Sequence, residues 1–346
     1  MPTLGKHTYE ELNTQPEAWE SVFQIVRDRA EELKAFFRAG GYEALAFTGC
    51  GSSYYLSLAA ASWAGELLAI PSWGVPASEV WLRTAGAIPF RGRTLLVAAS
   101  RSGETTETLR ACSAFLETKA GDLLTLSCYP GRPLTEMGHI NLVFPQAQEI
   151  SIAQTRALSS LYLAATGLIA LWANRPQAIE EMAALPQAGK RLLSRYTHLA
   201  RELGSDPTLD RFFFLGSGPA YGLACELSLK MKEMALSQSE PFHFLEFRHG
   251  PQSMVTQNTL IVALSSSSQA VYQRAVLEEM REKKARTVSI AESEADVCMN
   301  SGLSEFSRSV LYLPFGQLLA YERAISHGLD PDRPQHLEAV VKLIGV

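Results

Sequence analysis

The sequence predicts an α/β protein made of two doubly wound, parallel-sheet units that arose by internal duplication. The chain has 346 residues, which is too long for one comfortable hydrophobic core and fits two domains. Short apolar runs alternate with longer amphipathic segments, as is typical of parallel sheets flanked by helices. The same order of glycine-bearing turns occurs twice. We therefore predict a first unit with a leading helix at residues 1–175 and a second unit at residues 176–346.

The duplication rests on two pairs of similar stretches. FTGCGSSYYLSLAAASWAGEL begins at Phe47 and is similar to FLGSGPAYGLACELSLKMKEM, which begins at Phe214. In the same way, TLLVAASRSGETTETL from Thr94 is similar to TLIVALSSSSQAVYQR from Thr259. Chance similarity of two glycine-bearing turns is the alternative explanation. The aligned residues are Gly49 with Gly216, Gly51 with Gly218, Tyr54 with Tyr221, Glu66 with Glu233, Ser100 with Ser265, and Ser102 with Ser267.

The predicted elements follow in order along the chain. A leading helix is predicted from about Pro16 to Arg38. The apolar runs ALAFTGC, TLLVAAS and LLTLSC predict buried strands in the first unit, and RFFFLGSG, TLIVALS and RTVSIA predict strands in the second. The segment from Ser151 to about Leu203 is predicted to be helical and to link the units. In such sheets, ligands bind at the carboxyl ends of the strands.

The composition excludes several classes of function. The net charge is −5 with both signs spread along the chain, so neither a nucleic-acid nor a membrane partner is expected. The most apolar stretch, Ser160 to Ala173, is shorter than the ~20 residues that span a bilayer. The N-terminal residues carry no apolar signal segment. The five cysteines include no CxxC pair, so we expect a cytoplasmic protein without a disulfide framework, metal or cofactor.

Two serine-rich turns in the first unit indicate an anion site. SRSGETTET, Ser100 to Thr108, follows a predicted strand and opens a helix, whose first amides carry a partial positive charge. Its Ser100, Ser102 and Thr105 add hydroxyls, and CGSSY repeats the pattern with Ser52 and Ser53. Helix capping alone would also favour serine and threonine. Because two such turns occur in one unit, we favour a phosphate-binding role.

The second unit instead carries acid and base groups. Glu226, Lys230 and Glu233 are spaced so that they share one face of a predicted helix. An exposed, solubilising ion pair is the alternative explanation. The segment SEPFHFLEFRHGPQSM follows and brings His249 close, with Phe242, Phe244 and Phe247 expected to shelter it and His243 expected to be structural. We predict a site between the units that holds a phosphate at one end and moves protons at the other.

Six motifs together resemble one known family. SRSGET is similar to a Ser-Gln-Ser-Gly-Glu-Thr phosphate loop, GCGSSY to a first phosphate turn, and QEISIAQTRA to a substrate-shielding segment. ELSLKMKEM is similar to a catalytic helix, EFRHGP to a His-Gly-Pro loop, and HGLDPDRPQHL to a closing tail. Nearly the whole chain thus resembles the sugar isomerase (SIS) family, and within it the isomerase half of glucosamine-6-phosphate synthase and the related aminosugar-phosphate deaminases. The resemblance implies two flavodoxin-like, three-layer αβα SIS subdomains.

The resemblance also implies roles for single residues. Glu233 would shuttle a proton between C1 and C2 of an open-chain sugar, and His249 would open the ring, reaching across a homodimer interface. Glu226 and Lys230 would orient the sugar or Glu233. The residues expected to bind the substrate or its phosphate are Gly51, Ser52, Ser53, Ser100, Arg101, Ser102, Thr105 and Ile152.

This chain departs from the family pattern at several points, one of which is Arg156 in a lysine position. Arg101 replaces the glutamine of the phosphate loop. Ala339 stands where the synthase tail has a lysine that would open the ring, and the nearby lysine is Lys342. The synthase also has a glutaminase domain with an N-terminal cysteine, whereas no cysteine precedes Cys50 here. We therefore expect that this chain does not release ammonia from glutamine.

The function expected from these residues is that of a phosphosugar isomerase or deaminase acting on an aminosugar 6-phosphate. An example is the conversion of glucosamine 6-phosphate to fructose 6-phosphate and ammonia by proton transfer between C1 and C2. Three alternatives stay open: a fructosamine-6-phosphate deglycase, an aldose–ketose isomerase without ammonia loss, and a non-catalytic sugar-phosphate sensor.

Overall fold

The computed structural model of the protein describes residues 4–89 and 92–343. The strands in these residues are β1 (Ala44–Gly49), β2 (Ser72–Pro76), β3 (Thr94–Ser100), β4 (Gly121–Ser127), β5 (Ile140–Val143), β6 (Arg211–Leu215), β7 (Gln238–Phe242), β8 (Thr259–Leu264), β9 (Arg286–Ala291) and β10 (Val297–Cys298). The helices are α1 (Lys6–Asp28), α2 (Ala30–Gly40), α3 (Ser52–Leu68), α4 (Ala77–Ala87), α5 (Thr106–Glu117), α6 (Leu134–Met137), α7 (Arg156–Trp172), α8 (Pro176–Met182), α9 (Leu185–Gly204), α10 (Pro219–Ala235), α11 (Ala270–Glu282), α12 (Glu305–Arg308) and α13 (Leu313–Ser326).

The strands form two parallel sheets with the same topology. The first sheet has the order β2-β1-β3-β4-β5, and all of its pairs are parallel. The second has the order β10-β9-β8-β6-β7, which is the same order when its strands are counted from β6. This is the flavodoxin-like arrangement of a doubly wound sheet. The predicted fold class, two such units from an internal duplication, is confirmed.

The central strands are buried along their whole length, which explains why they are clear as apolar runs in the sequence. Every residue of β1, β3 and β8 is buried, because helices cover both faces of a doubly wound sheet. Such strands appear in sequence as continuous apolar runs. One face of the first sheet packs into a core that includes Val80, Ile88, Phe115 and Leu123.

The edge strands were not predicted. β2 has the sequence SWGVP and β7 has the sequence QSEPF, and both are largely half-buried or exposed. Proline lacks an N–H and is tolerated in a sheet at an edge, where β7 places Pro241. The charged segment around His249 therefore begins as an edge strand and only then becomes a loop.

The chain divides into two compact units, each containing one sheet. The N-sheet unit comprises residues 17–149, 156–183 and 338–346, and the C-sheet unit comprises residues 1–16, 150–155 and 184–337. Each unit thus takes short segments from elsewhere in the chain. The division into residues 1–175 and 176–346 stays a prediction.

The bounds predicted for the leading helix are wrong. α1 begins ten residues before Pro16 and ends at Asp28, and α2 follows after Arg29, whose backbone leaves the helical range at φ −99° and ψ 10°. The Arg29 guanidinium bonds to Glu32 and donates to the Asn141 carbonyl (2.8 Å). The sequence predicts a helix that begins at about Pro16, whereas Pro16 lies inside α1.

The segment predicted as a helical link contains three helices, α7, α8 and α9, but residues 151–155 are not helical.

Within residues 4–89 and 92–343, no helix is both long and apolar enough to cross a membrane.

Candidate active site

Two serine-bearing turns lie side by side at the carboxyl edge of the first sheet. β1 and β3 are neighbours, and each is followed by a helix, α3 or α5. A Cβ placed at Gly49 would lie 2.8 Å from the carbonyl oxygen of Ala99, so glycine is needed for the turns to approach this closely. The strand order reverses between β1 and β3, and this is where ligands bind in such sheets.

The turn after β3 holds its hydroxyls in fixed positions. Ser100 Oγ accepts the Gly103 N–H (3.2 Å) and lies 3.3 Å from Thr105 Oγ1. Ser102 Oγ accepts the Glu104 N–H (3.2 Å). Gly103 has a φ of +68°, which glycine adopts without strain. A hydroxyl that accepts an N–H keeps its own hydrogen for donation. Ser100 and Ser102 are therefore oriented and can still donate to an anion.

The turn after β1 adds two buried serines. Gly51 has a φ of +54° and precedes α3, which begins with Ser52 and Ser53. Both side chains are buried at the start of this helix, where the backbone dipole favours an anion. Burial raises the pKa of the Cys50 thiol in the same turn to about 11, against the effect of its hydrogen bond with Thr108. The thiol is thus protonated at neutral pH and supplies no thiolate.

The matching turn in the second sheet is not an anion site of the same kind. A cleft of about 690 Å³ follows β8 and is lined by Ser265, Ser266 and Ser267. The Ser267 N–H donates to Glu305 (3.2 Å), and its Oγ accepts from the Arg308 guanidinium (2.8 Å). Four acids line this cleft against two arginines, Arg274 and Arg281, so its charge does not favour an anion; the acids are Glu278, Glu292, Glu294 and Asp296.

The acid and base residues of α10 form one buried cluster. Glu226 and Lys230 are fully buried, and their Oε1 and Nζ atoms lie 3.4 Å apart. Lys230 Nζ also donates to Glu233 Oε2, whose side chain is 20% exposed. A buried ammonium is tolerated only when carboxylates or dipoles compensate it. The cluster is therefore no solubilising surface pair, and Glu233 is its member with access to solvent.

Glu233 opens onto a small cavity within the C-sheet unit. The cavity has a volume of about 220 Å³, and its wall combines the end of α10 with the segment after α13. Its other lining residues are Met234, Leu236, Gly328, Leu329, Asp330, Arg333, Pro334 and Gln335. A carboxylate at the rim of a cavity can meet a ligand without leaving its lysine partner.

His249 does not join this cluster in the described part of the chain. It follows a turn of 3₁₀ helix at Glu246–Arg248, its N–H donates to the Glu246 carbonyl (2.9 Å), and the residue is exposed. Gly250 follows with a φ of +123°, so the chain turns sharply here. Within the residues that the structure describes, His249 therefore contacts none of the acid and base residues of α10. It could act on a substrate only through contacts that lie beyond this segment.

The phenylalanines of this segment anchor it but do not cover His249. Phe244 and Phe247 are buried in the core of the second sheet, with Phe242 packed against them. The expectation that they shelter His249 is wrong, because their rings point into the core. His243 stacks on Tyr221 with ring centroids 3.9 Å apart, and burial lowers its pKa although Glu246 opposes the shift.

Ile152 lies in the segment of residues 150–155, within the C-sheet unit. Its N–H donates to the Asp332 carbonyl (3.0 Å), and the Asp332 carboxylate accepts from the Thr8 hydroxyl (2.7 Å). Ser151 and Ile150 donate N–H groups to Glu11. This segment is thus fastened to the start of α1 and to the segment that lines the Glu233 cavity.

Two residues near these groups were missed from the sequence. Glu149 is buried against the Arg101 guanidinium at 3.3 Å. Arg333 lines the Glu233 cavity. Glu149 lies in QEISIAQTRA and Arg333 in HGLDPDRPQHL, but their partners are far away in sequence. Within the described residues, no group of three or more His, Cys, Asp or Glu side chains could hold a metal ion.

Comparisons with known proteins agree with this architecture. The chain is 28% identical over 334 residues to glutamine–fructose-6-phosphate aminotransferase (isomerizing) of Methanothermobacter thermautotrophicus, covering 93% of this chain and 54% of that protein. The enzyme of the same name from Pseudomonas putida is 28% identical over 309 residues, covering 83% of this chain and 50% of that protein. The chain thus spans about half the length of the curated relatives it matches.

Solved structures match over nearly the full length. Glucosamine-6-phosphate deaminase from Thermotoga maritima has a TM-score of 0.76 at 28% identity, covering 93% of this chain and 100% of that one. Tagatose-6-phosphate ketose/aldose isomerase from Escherichia coli has a TM-score of 0.83 at 20% identity, covering 96% and 97%, which is a likeness of fold. The SIS domain family model matches residues 43–171 and 209–313, one match on each sheet. The chain therefore belongs to the SIS domain family.

Proposed function

We propose that this protein is a phosphosugar isomerase or deaminase that acts on an aminosugar 6-phosphate by moving a proton between C1 and C2. Glucosamine 6-phosphate, converted to fructose 6-phosphate and ammonia, is the example that we favour. The deaminase from Thermotoga maritima supports this choice, because it is related over its whole length. The Glu226–Lys230–Glu233 cluster is the observation that carries the proposal.

The chemistry needs one base that acts at two neighbouring carbons. In the open-chain aminosugar, the Glu233 carboxylate removes the proton from C2 while O1 takes a proton from solvent, which gives an enolamine. The same carboxyl group returns its proton to C1, and the nitrogen at C2 loses a proton to solvent, which leaves a neutral imine. Water adds to this imine, and ammonia leaves to give the ketose phosphate. Lys230 holds Glu233 in position and balances its charge. General acid/base catalysis of this kind contributes typically ~10²–10⁴ in rate.

The phosphate would be held by hydroxyls and backbone amides in place of a cationic side chain. Ser53, Ser100, Ser102 and Thr105 surround the starts of α3 and α5, where N–H groups also point outward. This suits a protein with a net charge of −5, because binding depends on local donors and not on the overall field.

A panel of sugar phosphates tests the proposal. The pure protein is incubated with aminosugar and fructosamine 6-phosphates, and ammonia, free amine, aldose phosphate and ketose phosphate are measured. Ammonia with ketose phosphate supports the proposal. Amine with aldose phosphate favours a deglycase, ketose phosphate without ammonia favours a simple isomerase, and binding without turnover favours a sensor.

The phosphate loop gives a prediction about binding. Replacing Ser102 and Thr105 together by alanine should weaken the binding of a 6-phosphosugar, because each hydrogen bond to a charged group contributes about 1.5–3 kcal/mol. Ser113→Ala, an exposed serine on α5, is the matched control. Calorimetric titration measures both, and parental affinity in the double variant would show that the loop does not hold the phosphate.

A second prediction concerns the exposed His249. We propose that it completes the site of a partner subunit in a homodimer, where it would open the sugar ring. Glu233→Gln and His249→Asn chains should each be nearly inactive, but dissociated and reassembled 1:1 mixtures should recover about a quarter of parental activity, because half the dimers then carry one intact site.

The controls are a Glu233→Gln sample reassembled with itself and the single variant His243→Asn. The first should recover nothing, and the second should stay close to the parent because His243 packs on Tyr221. A fully active monomer in a sizing experiment would overturn this assembly.

A further inference from the structure

The Arg101 side chain joins three separate segments of the N-sheet unit. Its backbone lies in the phosphate loop, residues 100–105, and its carbonyl accepts the Cys128 N–H (3.1 Å). Its guanidinium is buried, with Nη1 3.3 Å from Glu149 Oε2 and Nη2 donating to the Ala339 carbonyl (3.2 Å). The loop is thus connected both to residues before α7 and to the C-terminal tail, defined here as Glu338–Leu343.

Glu149 is held firmly enough to orient the guanidinium. Its Oε1 accepts the Ala157 N–H in the first turn of α7 (3.0 Å), where the helix dipole favours a carboxylate. Its carbonyl accepts the Tyr129 hydroxyl (2.8 Å). These hydrogen bonds leave Glu149 little freedom to move, whatever the ion pair contributes to stability. The Arg101 guanidinium is therefore held in one orientation, with Nη2 directed at the Ala339 carbonyl of the tail.

The tail buries little of itself and depends on polar contacts. Within Glu338–Leu343, Val340 is half-buried and the other residues are exposed. One end of the tail is held by Arg101 at Ala339 and the other by the Leu343 N–H, which donates to Thr106 Oγ1 (3.3 Å). Thr106 opens α5 directly after Thr105 of the phosphate loop. Both attachments thus lie on, or next to, the loop.

These two contacts need a side chain with several donors. Arg101 contacts the Glu149 carboxylate and the Ala339 carbonyl at the same time. A glutamine amide has one NH₂ group, whereas a guanidinium has five N–H donors in a rigid fork and can hold a carboxylate and a carbonyl at once. Arginine at residue 101 therefore suits a role that glutamine could not fill.

We propose that Arg101 is a positioning residue that fastens the C-terminal tail to the phosphate loop, so that docking of the tail and binding of the substrate phosphate favour each other. The proposal rests on the proposed function for the identity of the anion. A phosphate that orders Ser100–Thr105 also orders the Arg101 backbone, and thereby the nitrogen that holds Ala339. By linkage, a docked tail raises the affinity for phosphate by the same factor.

The test measures the tail and the anion separately, without turnover. Inorganic phosphate is the probe, its affinity is measured by calorimetry, and hydrogen–deuterium exchange follows peptides that cover residues 338–343. Arg101→Gln/Glu149→Gln removes the ion pair without leaving a buried charge, and the amide oxygen introduced at residue 149 can still accept from Ala157. Arg101→Lys keeps the charge, and a chain ending at Leu337 removes the tail with the loop intact.

Phosphate should slow exchange in the tail of the parent protein. The double variant should exchange fast with or without phosphate and bind it about 10-fold more weakly, as for one lost charge-assisted hydrogen bond. The chain without the tail should show the same loss, and Arg101→Lys should recover part of both effects. Arg93→Gln, which breaks an exposed pair with Asp122, is the control and should match the parent.

The proposal is overturned if the double variant keeps phosphate-dependent protection of the tail, or if the chain without the tail binds phosphate like the parent. Failure of the proposed function can be told apart from failure of this proposal. The affinity for phosphate and the exchange of the tail can both be measured in a protein that has no deaminase activity. If phosphate does not bind at all, the residues assigned to phosphate binding are wrong. Tail exchange in the parent and in the double variant, both measured in buffer, then still decides whether Arg101 holds the tail.

Discussion

Replacing Glu233 by glutamine should lower turnover of an aminosugar 6-phosphate by about 10²–10⁴-fold, the usual contribution of a general base. The amide has the same shape and can still accept a hydrogen bond from Lys230, so the cluster should stay folded. It cannot remove a proton, however. Exchange of the C2 proton with D₂O, followed by NMR on the bound sugar phosphate, should therefore be lost together with ammonia release.

Two variants separate this effect from a general loss of structure. Glu240→Gln changes an exposed carboxylate on β7 and should leave exchange near the parental rate. His249→Asn should slow turnover of the cyclic sugar but leave exchange from the open-chain form partly intact. If Glu233→Gln exchanges the C2 proton as fast as the parent, the base lies elsewhere and the sensor hypothesis gains.

The fold could be predicted where burial alone decides the sequence pattern. β1, β3 and β8 are covered on both faces, so their residues are apolar throughout, and their repetition showed the duplication. The edge strands β2 and β7 have one open side, and their mixture of proline, glycine and polar residues carries no period. At the break between α1 and α2, the Arg29 guanidinium donates to the Asn141 carbonyl, which is far away in sequence.

The candidate site shows the same limit. Helical spacing predicted that Glu226, Lys230 and Glu233 share a face, because that geometry is local. Whether the face is exposed or buried depends on α13, which packs against α10 and is distant along the chain. The Arg101–Glu149 pair likewise joins a loop to a segment 48 residues away. The spacing of residues along the chain does not show which distant segments will pack against them.

The burial of Lys230 leads to the largest expected effect on stability. Lys230→Met removes the ammonium between two carboxylates and leaves Glu226 charged in a fully buried position. Breaking a buried ion pair from one side costs about 3–5 kcal/mol, because the remaining charge is not compensated. The urea midpoint for unfolding of the C-sheet unit should fall markedly, as measured by hydrogen–deuterium exchange of peptides from residues 184–337.

A second change on the same helix decides whether charge is the cause. Lys230→Met/Glu226→Gln removes the buried negative charge while preserving side-chain volume, so it should recover most of the lost midpoint. Activity should not return, because Glu233 would still lack the partner that positions it. If the double variant is as unstable as Lys230→Met, lost packing explains the effect. If Lys230→Met alone unfolds like the parent, the ammonium does not compensate Glu226, and the cluster cannot serve as the acid/base centre.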